Sequence, residues 1–422
     1  MPIAVSATLA VNEALDERRR QGKPVLPLGF GEAGLPVHPA LRAQLAAAVG
    51  RGAYGPVAGS IDVRRSAAGY WERRGLPTDP EFVVAGPGSK PLLFGLLLVL
   101  GGDVVVPCPS WVSYAAQAQL MGREALFVPT APGEGGVPDP DAMAAAVVRA
   151  RAAGRAVRSV VVTLPDNPTG TLAGARTVRR FAEVARTLDL VIISDEIYRD
   201  LVYDDAAAEF ASPAEFVPER TVVTTALSKS LALGGWRLGV ARLPDCDLGR
   251  ELRAGLLGTA SEIWSCPAAP IQQVAAYAFA EPAELTDHIA RSRRLHAIVS
   301  AAVTERFRAA KAVLETPRAS FYQYPDFATW RAALALDHDV HTGAGLSALL
   351  MRRYGLGVLP ASAFGEAEEA LRVRVATGLL YGDTPEQREA ALAASDPLAL
   401  PWIGASLDRV EDVLIDLTGG WA

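Results

Sequence analysis

Lysine is scarce in this chain: its 422 residues include only four lysines against 37 arginines. The four are Lys23, Lys90, Lys229 and Lys311, so chemistry that needs an amine nucleophile has few candidates. The chain also lacks a basic excess, since its formal net charge is −6. This balance argues against a nucleic-acid partner and gives no reason to expect binding to an anionic membrane.

Cysteine and histidine are rare as well. The three cysteines form no CxxC pair and are too few for a disulfide framework. Of five histidines only two lie close together, and no cysteine joins them, so we expect no metal site. The start has no secretory pattern, and the longest apolar run, 91–100, is too short to span a membrane. The chain is predicted to be cytoplasmic.

Apolar runs alternate with helical stretches through the middle of the chain, which favours an α/β fold. The predicted strands are 82–84, 104–106, 125–128, 159–164, 190–194, 221–225 and 238–242. Continuous apolar strands separated by helices are typical of a mostly parallel sheet covered on both faces. We therefore predict a seven-stranded, mostly parallel sheet sandwiched by helices.

The pattern changes from about residue 283. A charged helical stretch, 284–308, leads into predicted strands near 321–324 and 371–376, which indicates a smaller α+β domain. A chain of this length is expected to form two domains. The predicted divisions are an N-terminal segment, 1–45, that packs with the small domain, a large domain, 46–285, and the small domain, 286–422.

A lysine follows one predicted strand, and ligands bind beyond the carboxyl ends of strands in such sheets. Lys229 comes shortly after the strand 221–225, where a partly desolvated amine can form an imine with an aldehyde. A surface lysine in a loop is the alternative. The glycines at 234–239 favour the first interpretation, because they let the backbone approach an anion, and Ser228 and Arg237 are suited to hold a phosphate.

Polar residues also follow two neighbouring strands. Asp195 comes after 190–194 and could merely cap a helix. In a pyridoxal site, however, such a carboxylate keeps the pyridine nitrogen protonated, so that the ring absorbs electrons. Tyr198 could then hydrogen-bond the phenolic oxygen of the ring. Asn167 offers its amide to the same oxygen, although Asn-Pro-Thr-Gly is also an ordinary turn signal.

A glycine-rich turn opens the apolar helix predicted at 91–100. Gly88, Ser89 and Lys90 expose backbone N–H groups that form an anion site. Neither GxGxxG nor GxxxxGK[ST] is present, so nucleotide binding is disfavoured. Lys90 is the rival of Lys229 as the imine-forming amine, but it sits where the phosphate should lie. Trp111 could either cover a cofactor ring or pack in the core.

In the order Asn167, Asp195, Tyr198, Lys229 and Arg237, the chain resembles the class I/II aminotransferases of fold type I, which use pyridoxal phosphate. The stretches that carry the resemblance are LPDNPTG, ISDEIYRDLVYD, SKSLALGGWRLG, LGFGEAGLPVHP, AYGPVAG, GPGSK, PSWVSY, ASFYQYPDF and LPASAFG. They extend over roughly residues 25 to 380, and their ordered combination is highly specific.

The resemblance implies a role for each of these residues. Lys229 would hold the cofactor as a Schiff base and move the proton as general base and acid. Asp195 would bind the pyridine nitrogen, with Tyr198 and Asn167 at the ring oxygen. The remaining cofactor-binding residues would be Gly88, Ser89, Lys90 through its backbone, Trp111, Ser228 and Arg237.

Tyr54 matches a position that reaches the phosphate in the neighbouring subunit, which implies a homodimer. Gly31, Asn167 and an arginine would bind the substrate. For the arginine that holds the α-carboxylate, the resemblance favours Arg372 over Arg374, which fills a position that is usually small or apolar. Strand alternation should point both arginines the same way. The alternative is that Arg372 and Arg374 have only a structural role on a solvated edge.

The implied activity moves an amino group from an L-amino acid to a 2-oxo acid through pyridoxamine phosphate. No second arginine marks a site for a dicarboxylate side chain, so aspartate is not favoured as the donor. A lyase, cyclase, oxidase or γ-replacement enzyme of specialised metabolism is the alternative, prompted by Arg374 and by the segment 262–264. A non-catalytic protein on this fold is a third hypothesis, against which the presence of Lys229 counts.

Overall fold

The structure, a computed structural model, describes residues 7–419. Its strands are β1 (Leu26–Pro27), β2 (Val83–Gly86), β3 (Asp103–Cys108), β4 (Ala125–Pro129), β5 (Val157–Thr163), β6 (Val191–Asp195), β7 (Thr221–Ala226), β8 (Gly239–Arg242), β9 (Tyr322–Gln323), β10 (Leu356–Gly357), β11 (Leu359–Pro360) and β12 (Val373–Ala376). Its α-helices are α1 (Ala7–Arg20), α2 (Pro39–Ala48), α3 (Ile61–Glu72), α4 (Ser89–Leu100), α5 (Ser113–Leu120), α6 (Pro140–Ala152), α7 (Ala175–Thr187), α8 (Leu227–Ser230), α9 (Asp247–Ile263), α10 (Ala269–Phe279), α11 (Ala283–Ala309), α12 (Arg331–His338), α13 (Gly343–Leu349), α14 (Pro385–Ala393) and α15 (Pro401–Leu417). None of these helices is long and apolar enough to cross a membrane.

Seven strands form the central sheet, in the order β2-β8-β7-β6-β5-β3-β4. β8 runs antiparallel to both of its neighbours, and the other pairings are parallel. Every residue of β2, β6, β7 and β8 is buried, as expected of strands that are covered on both faces. The predicted α/β fold with a mostly parallel seven-stranded sheet is confirmed, strand for strand.

Helices cover both faces of this sheet. On one face, α7 buries the stripe formed by Val178, Phe181 and Ala185 against the sheet, in a cluster with Val147 of α6. On the other face, α4 packs its nearly continuous apolar sequence between the sheet and α9. The helical spacing of apolar residues thus supplies the surfaces that close the core.

A second sheet, in the order β11-β12-β9, is antiparallel and lies at 322–376, where the sequence predicted the smaller domain. β1 pairs in parallel with β10, so the N-terminal segment joins this part of the chain. The predicted limit at residue 45 falls inside α2, whose Leu41 packs instead with Val63 and Val274 of the large domain. The exact domain limits stay a prediction.

The parallel strands β5, β6 and β7 are adjacent and end at nearly the same level. Thr163, the last residue of β5, pairs with Asp195, the last residue of β6, and Asp195 pairs with Thr224 near the end of β7. The loops that follow these strands therefore emerge side by side, at the edge of the sheet where ligands bind in such folds.

Candidate active site

A cavity of about 660 Å³ opens at the carboxyl ends of these strands and is closed on one side by residues of β9 and β12. The predicted site residues that line it are Gly31, Ser89, Lys90, Trp111, Asn167, Asp195, Tyr198, Ser228, Lys229 and Arg237. Gly88 lies directly behind this lining, against Arg237. The tertiary structure therefore brings together residues that are spread over about 200 positions of the sequence.

Lys229 lies in α8, a single helical turn that begins directly after β7. Its side chain is half-buried and its Nζ donates a hydrogen bond of 2.5 Å to the carbonyl oxygen of Gly31. Nζ also lies 6.0 Å from the centroid of the Tyr198 ring. The amine thus points into the cavity, where a ligand with an aldehyde can reach it.

Asp195 is 2 % exposed and accepts hydrogen bonds from Tyr114 Oη at 3.0 Å and Thr224 Oγ1 at 3.2 Å. Burial raises the pKa of this carboxyl to about 6, although both hydrogen bonds favour the charged form. Keeping this buried carboxyl charged costs free energy, so the carboxylate needs a cationic partner. A protonated ring nitrogen in the cavity would be such a partner.

Several cations face the cavity near the start of α4. Burial, followed by the charges of Arg237 and Lys229, lowers the pKa of Lys90. Gly88 has a φ of 92°, and a Cβ at this position would lie 2.5 Å from Nη2 of Arg237. The glycine therefore leaves room for the guanidinium beside the helix start. Three like charges at a helix N-terminus are stabilised by a bound anion such as a phosphate.

Trp111 contributes an aromatic wall. It is half-buried, lines the cavity and meets Tyr114 edge to face, with ring centroids 5.3 Å apart. Its ring also packs beside the apolar cluster on that face of the sheet, and Lys90 Nζ lies 5.0 Å from the ring centroid. Both interpretations of this tryptophan are therefore compatible with its place: it packs against the core with one side and faces the cavity with another.

The structure places Arg372 outside the cavity, although the resemblance favours it as the residue that holds the α-carboxylate. This residue lies just before β12 with its side chain 41 % exposed, and it forms ion pairs with Asp326 at 2.9 Å and Glu366 at 2.5 Å. It does not line the cavity, whereas Arg374 does. The two carboxylates hold the Arg372 guanidinium away from the site, because an ion pair already satisfies its charge.

Arg374 is 1 % exposed and lies inside the cavity wall. Its Nη1 donates to Asn167 Oδ1 at 3.2 Å and its Nη2 to the carbonyl oxygen of Gly29 at 2.6 Å. Its Nε is buried without a hydrogen-bond partner, and within residues 7–419 no carboxylate pairs with it. A buried guanidinium without a counter-ion is costly, which marks a place for the carboxylate of a ligand.

Tyr198 lies in the turn after β6, and its Oη is 2.9 Å from Oη of Tyr322 in β9. Burial raises the pKa of Tyr198 well above its ordinary value. The hydroxyl therefore stays protonated and can donate. Tyr54, by contrast, is 91 % exposed and does not line the cavity of its own chain. Its predicted role in a neighbouring subunit stays a prediction.

Three residues that line the cavity were not predicted to do so from the sequence. Tyr114 and Tyr322 were not assigned a role, although each belongs to a stretch that carries the resemblance, and Arg374 ranked below Arg372. Tyr114 follows Trp111 by one helical turn, a spacing that could have indicated its orientation. Tyr322 and Arg374 gave no such signal, because their partners lie far away in the chain.

These groups together define a class of site: an amine, a buried carboxylate and an anion-binding helix start surround one aromatic-walled cavity. Pyridoxal phosphate carries an aldehyde, a basic ring nitrogen and a phosphate, so the residues present fit that group. The part of the chain covered by the structure contains no cluster of three or more His, Cys, Asp and Glu side chains that could hold a metal ion.

Comparisons with known proteins give a consistent result. Residues 23–390 match the family described as aminotransferase class I and II. The aspartate aminotransferase of Geobacillus stearothermophilus is 30% identical over 395 residues, which cover 91% of this chain and 95% of that protein. The probable aspartate/prephenate aminotransferase of Thermus aquaticus is 36% identical over 242 residues, or 56% of this chain and 61% of that protein. A Thermus thermophilus relative of the same type is likewise matched over only 60% of its length.

A solved structure of aspartate aminotransferase from Thermus thermophilus, with maleate, superimposes with a TM-score of 0.81, at 25% identity and 97% coverage of each chain. The chain belongs to the class I and II aminotransferase family, whose members depend on pyridoxal phosphate. The family assignment and the cofactor expected from the sequence are therefore confirmed.

Proposed function

We propose that this protein is an aminotransferase that moves the amino group of an L-amino acid to a 2-oxo acid. The observation that carries the proposal is the presence in one cavity of Lys229 and of the buried guanidinium of Arg374, with which no carboxylate in residues 7–419 forms an ion pair. An amino acid has one amine and one carboxylate on the same carbon. These two protein groups are complementary to that arrangement, since one reacts with an aldehyde and the other binds a carboxylate.

Pyridoxal phosphate, when bound, supplies an aldehyde that condenses with amines and a ring that takes up the electron pair released at the α carbon. Ser89, Ser228 and Arg237 would hold its phosphate, and the side chain of Lys90 adds positive charge there. Asp195 would hold the proton on the ring nitrogen, which also compensates for the burial of its own carboxylate.

Lys229 Nζ would act as a general base that removes the proton from the α carbon, and then as a general acid that delivers a proton to another atom. Arg374 would bind the α-carboxylate and thereby orient the α-hydrogen toward that amine. Tyr198 would donate its hydroxyl proton to the ring oxygen, and the amide of Asn167 would donate to the same atom. Trp111 would shield one side of the site from water.

The experiment that tests this proposal follows the visible absorbance of the purified protein with pyridoxal phosphate. Addition of a suitable L-amino acid from a panel should bleach the visible band, and a 2-oxo acid should restore it. Formation of a product without this interconversion would instead indicate the alternative chemistry of a lyase, cyclase, oxidase or γ-replacement enzyme. The panel should include aspartate as the amino donor and prephenate as the 2-oxo acid, since relatives are named for aspartate and prephenate.

Three lysine variants assign the amine. Lys229→Ala should lose both the visible band and turnover, whereas Lys90→Ala should keep the band and bind the cofactor more weakly. Lys23→Ala, at an exposed position outside the cavity lining, is the matched control and should behave like the parent protein. A normal band in Lys229→Ala would contradict the assignment.

We further propose a homodimer in which Tyr54 contributes to the site of the neighbouring subunit. The exposure of 91 % and the absence of Tyr54 from the lining of its own cavity support this arrangement. Mixing inactive Tyr54→Ala and Lys229→Ala proteins should restore activity, because one site of a mixed dimer would then be intact. The cytoplasmic location stays a prediction.

A further inference from the structure

Two tyrosine hydroxyls meet in the wall of the cavity, and the proposed function uses only one of them. Tyr198 and Tyr322 are 3 % and 1 % exposed, and their rings meet edge to face with centroids 5.5 Å apart. The two Oη atoms are 2.9 Å apart, and either can be the donor. Only the hydroxyl that accepts this hydrogen bond can still donate its own proton to another partner.

Arg374 favours one direction. Its guanidinium carbon lies 4.9 Å from the centroid of the Tyr322 ring. A cation over an aromatic face draws electron density from the ring, and this makes the phenol a stronger hydrogen-bond donor. Because no carboxylate in residues 7–419 pairs with Arg374, its charge is not offset nearby. This favours Tyr322 as the donor and Tyr198 Oη as the acceptor.

The backbone fixes Tyr322 in this position. A Cβ on Gly31 would collide with Tyr322 Oη, so only a glycine leaves room for the hydroxyl. The carbonyl oxygen of the same glycine accepts the hydrogen bond from Lys229 Nζ. The hydroxyl pair thus lies beside the reactive amine, and β9 carries it there from the small domain.

We propose that Tyr322 is a positioning residue that donates its proton to Tyr198 Oη and so directs the Tyr198 proton into the cavity, toward the ring oxygen of the cofactor. This inference rests on the proposed function. A hydroxyl that accepts one hydrogen bond becomes a stronger donor in its next one. Tyr322 therefore strengthens the hydrogen bond from Tyr198, which stabilises the ring oxygen as an anion.

The effect is measurable as a shift in the pH at which the bound chromophore gains or loses its proton. Donation to the ring oxygen favours the deprotonated form of the bound chromophore, so it lowers the pH midpoint at which the visible band changes. Loss of the Tyr322 hydroxyl weakens this donation and should raise the midpoint. The charged groups that face the pair are Asp195, Lys229 and Arg374, and none of them is altered when a phenol is replaced by a phenyl ring.

The experiment compares Tyr322→Phe with a matched control in the loaded enzyme. Tyr324→Phe removes a hydroxyl two residues away, one that donates to Glu366 Oε2 at 2.8 Å and lies outside the cavity lining. We expect the midpoint of Tyr322→Phe to rise by roughly half a pH unit to one unit, the size expected of one buried hydrogen bond. The midpoint of Tyr324→Phe should equal that of the parent protein.

A double-mutant cycle isolates the route of the effect. If Tyr322 acts through Tyr198, the double variant Tyr198→Phe/Tyr322→Phe should have the same midpoint as Tyr198→Phe alone. An unchanged midpoint in Tyr322→Phe, or shifts that simply add in the double variant, would overturn the inference while leaving the proposed function intact. If the parent protein formed no visible band with pyridoxal phosphate, both would be wrong.

Discussion

Replacement of Arg374 by glutamine tests which arginine holds the substrate carboxylate. The parent residue already donates to Asn167 Oδ1 and the Gly29 carbonyl, and its buried Nε has no hydrogen-bond partner in the described part of the chain. A hydrogen bond to a charged group contributes about 1.5–3 kcal/mol, so two such bonds to a carboxylate contribute about 3–6 kcal/mol. Glutamine keeps a single amide donor and no charge.

We therefore expect kcat/KM for an amino acid to fall roughly 100-fold or more in Arg374→Gln, since about 1.4 kcal/mol corresponds to a factor of ten. Arg372→Gln is the matched control. Its side chain is 41 % exposed and its ion pairs with Asp326 and Glu366 are expected to contribute at most about 1 kcal/mol. Its kcat/KM should stay within about threefold of the parent value.

The assay measures kcat and KM for an amino acid and for the corresponding amine without a carboxylate. The parent enzyme should prefer the amino acid strongly, and Arg374→Gln should lose most of that preference. Thermal unfolding and the cofactor band of each variant would establish that it is folded and loaded. A larger loss in Arg372→Gln, or an equal loss for amino acid and amine in Arg374→Gln, would refute the reasoning.

Two other substitutions test the buried acid and the anion site. Asp166 is fully buried, and its Oδ1 has no hydrogen-bond partner among residues 7–419. Burial raises the pKa of this carboxyl to about 7, above the ordinary value near 4. The carboxyl therefore stabilises the fold in acid, and this stabilisation is lost as the pH rises from about 4 through 7. Asp166→Asn should therefore raise the melting temperature at pH 8 and change it little at pH 5, and an equal change at both pH values would contradict this. Gly88→Ala should weaken cofactor binding about tenfold or more, because the new methyl group would collide with the Arg237 guanidinium and the φ of 92° is unfavourable for alanine. Spectroscopic titration of the apoprotein with pyridoxal phosphate measures the affinity. An unchanged affinity would contradict a phosphate site beside Gly88.

Much of the fold could be predicted from the sequence because its signals are local. Each of the seven sheet strands is a short run rich in apolar and β-branched residues, as expected of strands that are covered on both faces. Lys229 and Asp195 could be found in the same way. Each follows the end of such a run, and the geometry of parallel sheets places strand ends together.

The choice between Arg372 and Arg374 depended on tertiary contacts. Both arginines belong to one short stretch, and the resemblance of that stretch to the family favoured Arg372. Arg374 is held by Asn167 and Gly29, 207 and 345 positions away, whereas Arg372 is held by Asp326 and Glu366. Only the folded chain could assign these partners.

The sequence by itself determined the α/β class, the order of the strands along the chain and the amine and carboxylate at their ends. The tertiary structure decided which arginine faces the cavity, and it brought Tyr114 to Asp195 and Tyr322 to Tyr198. The physical reason is the range of the interactions. The local backbone geometry decides which side chains share one face of a helix or strand. The hydrogen bonds and charges in a cavity, in contrast, depend on groups that meet only after the two sheets have packed.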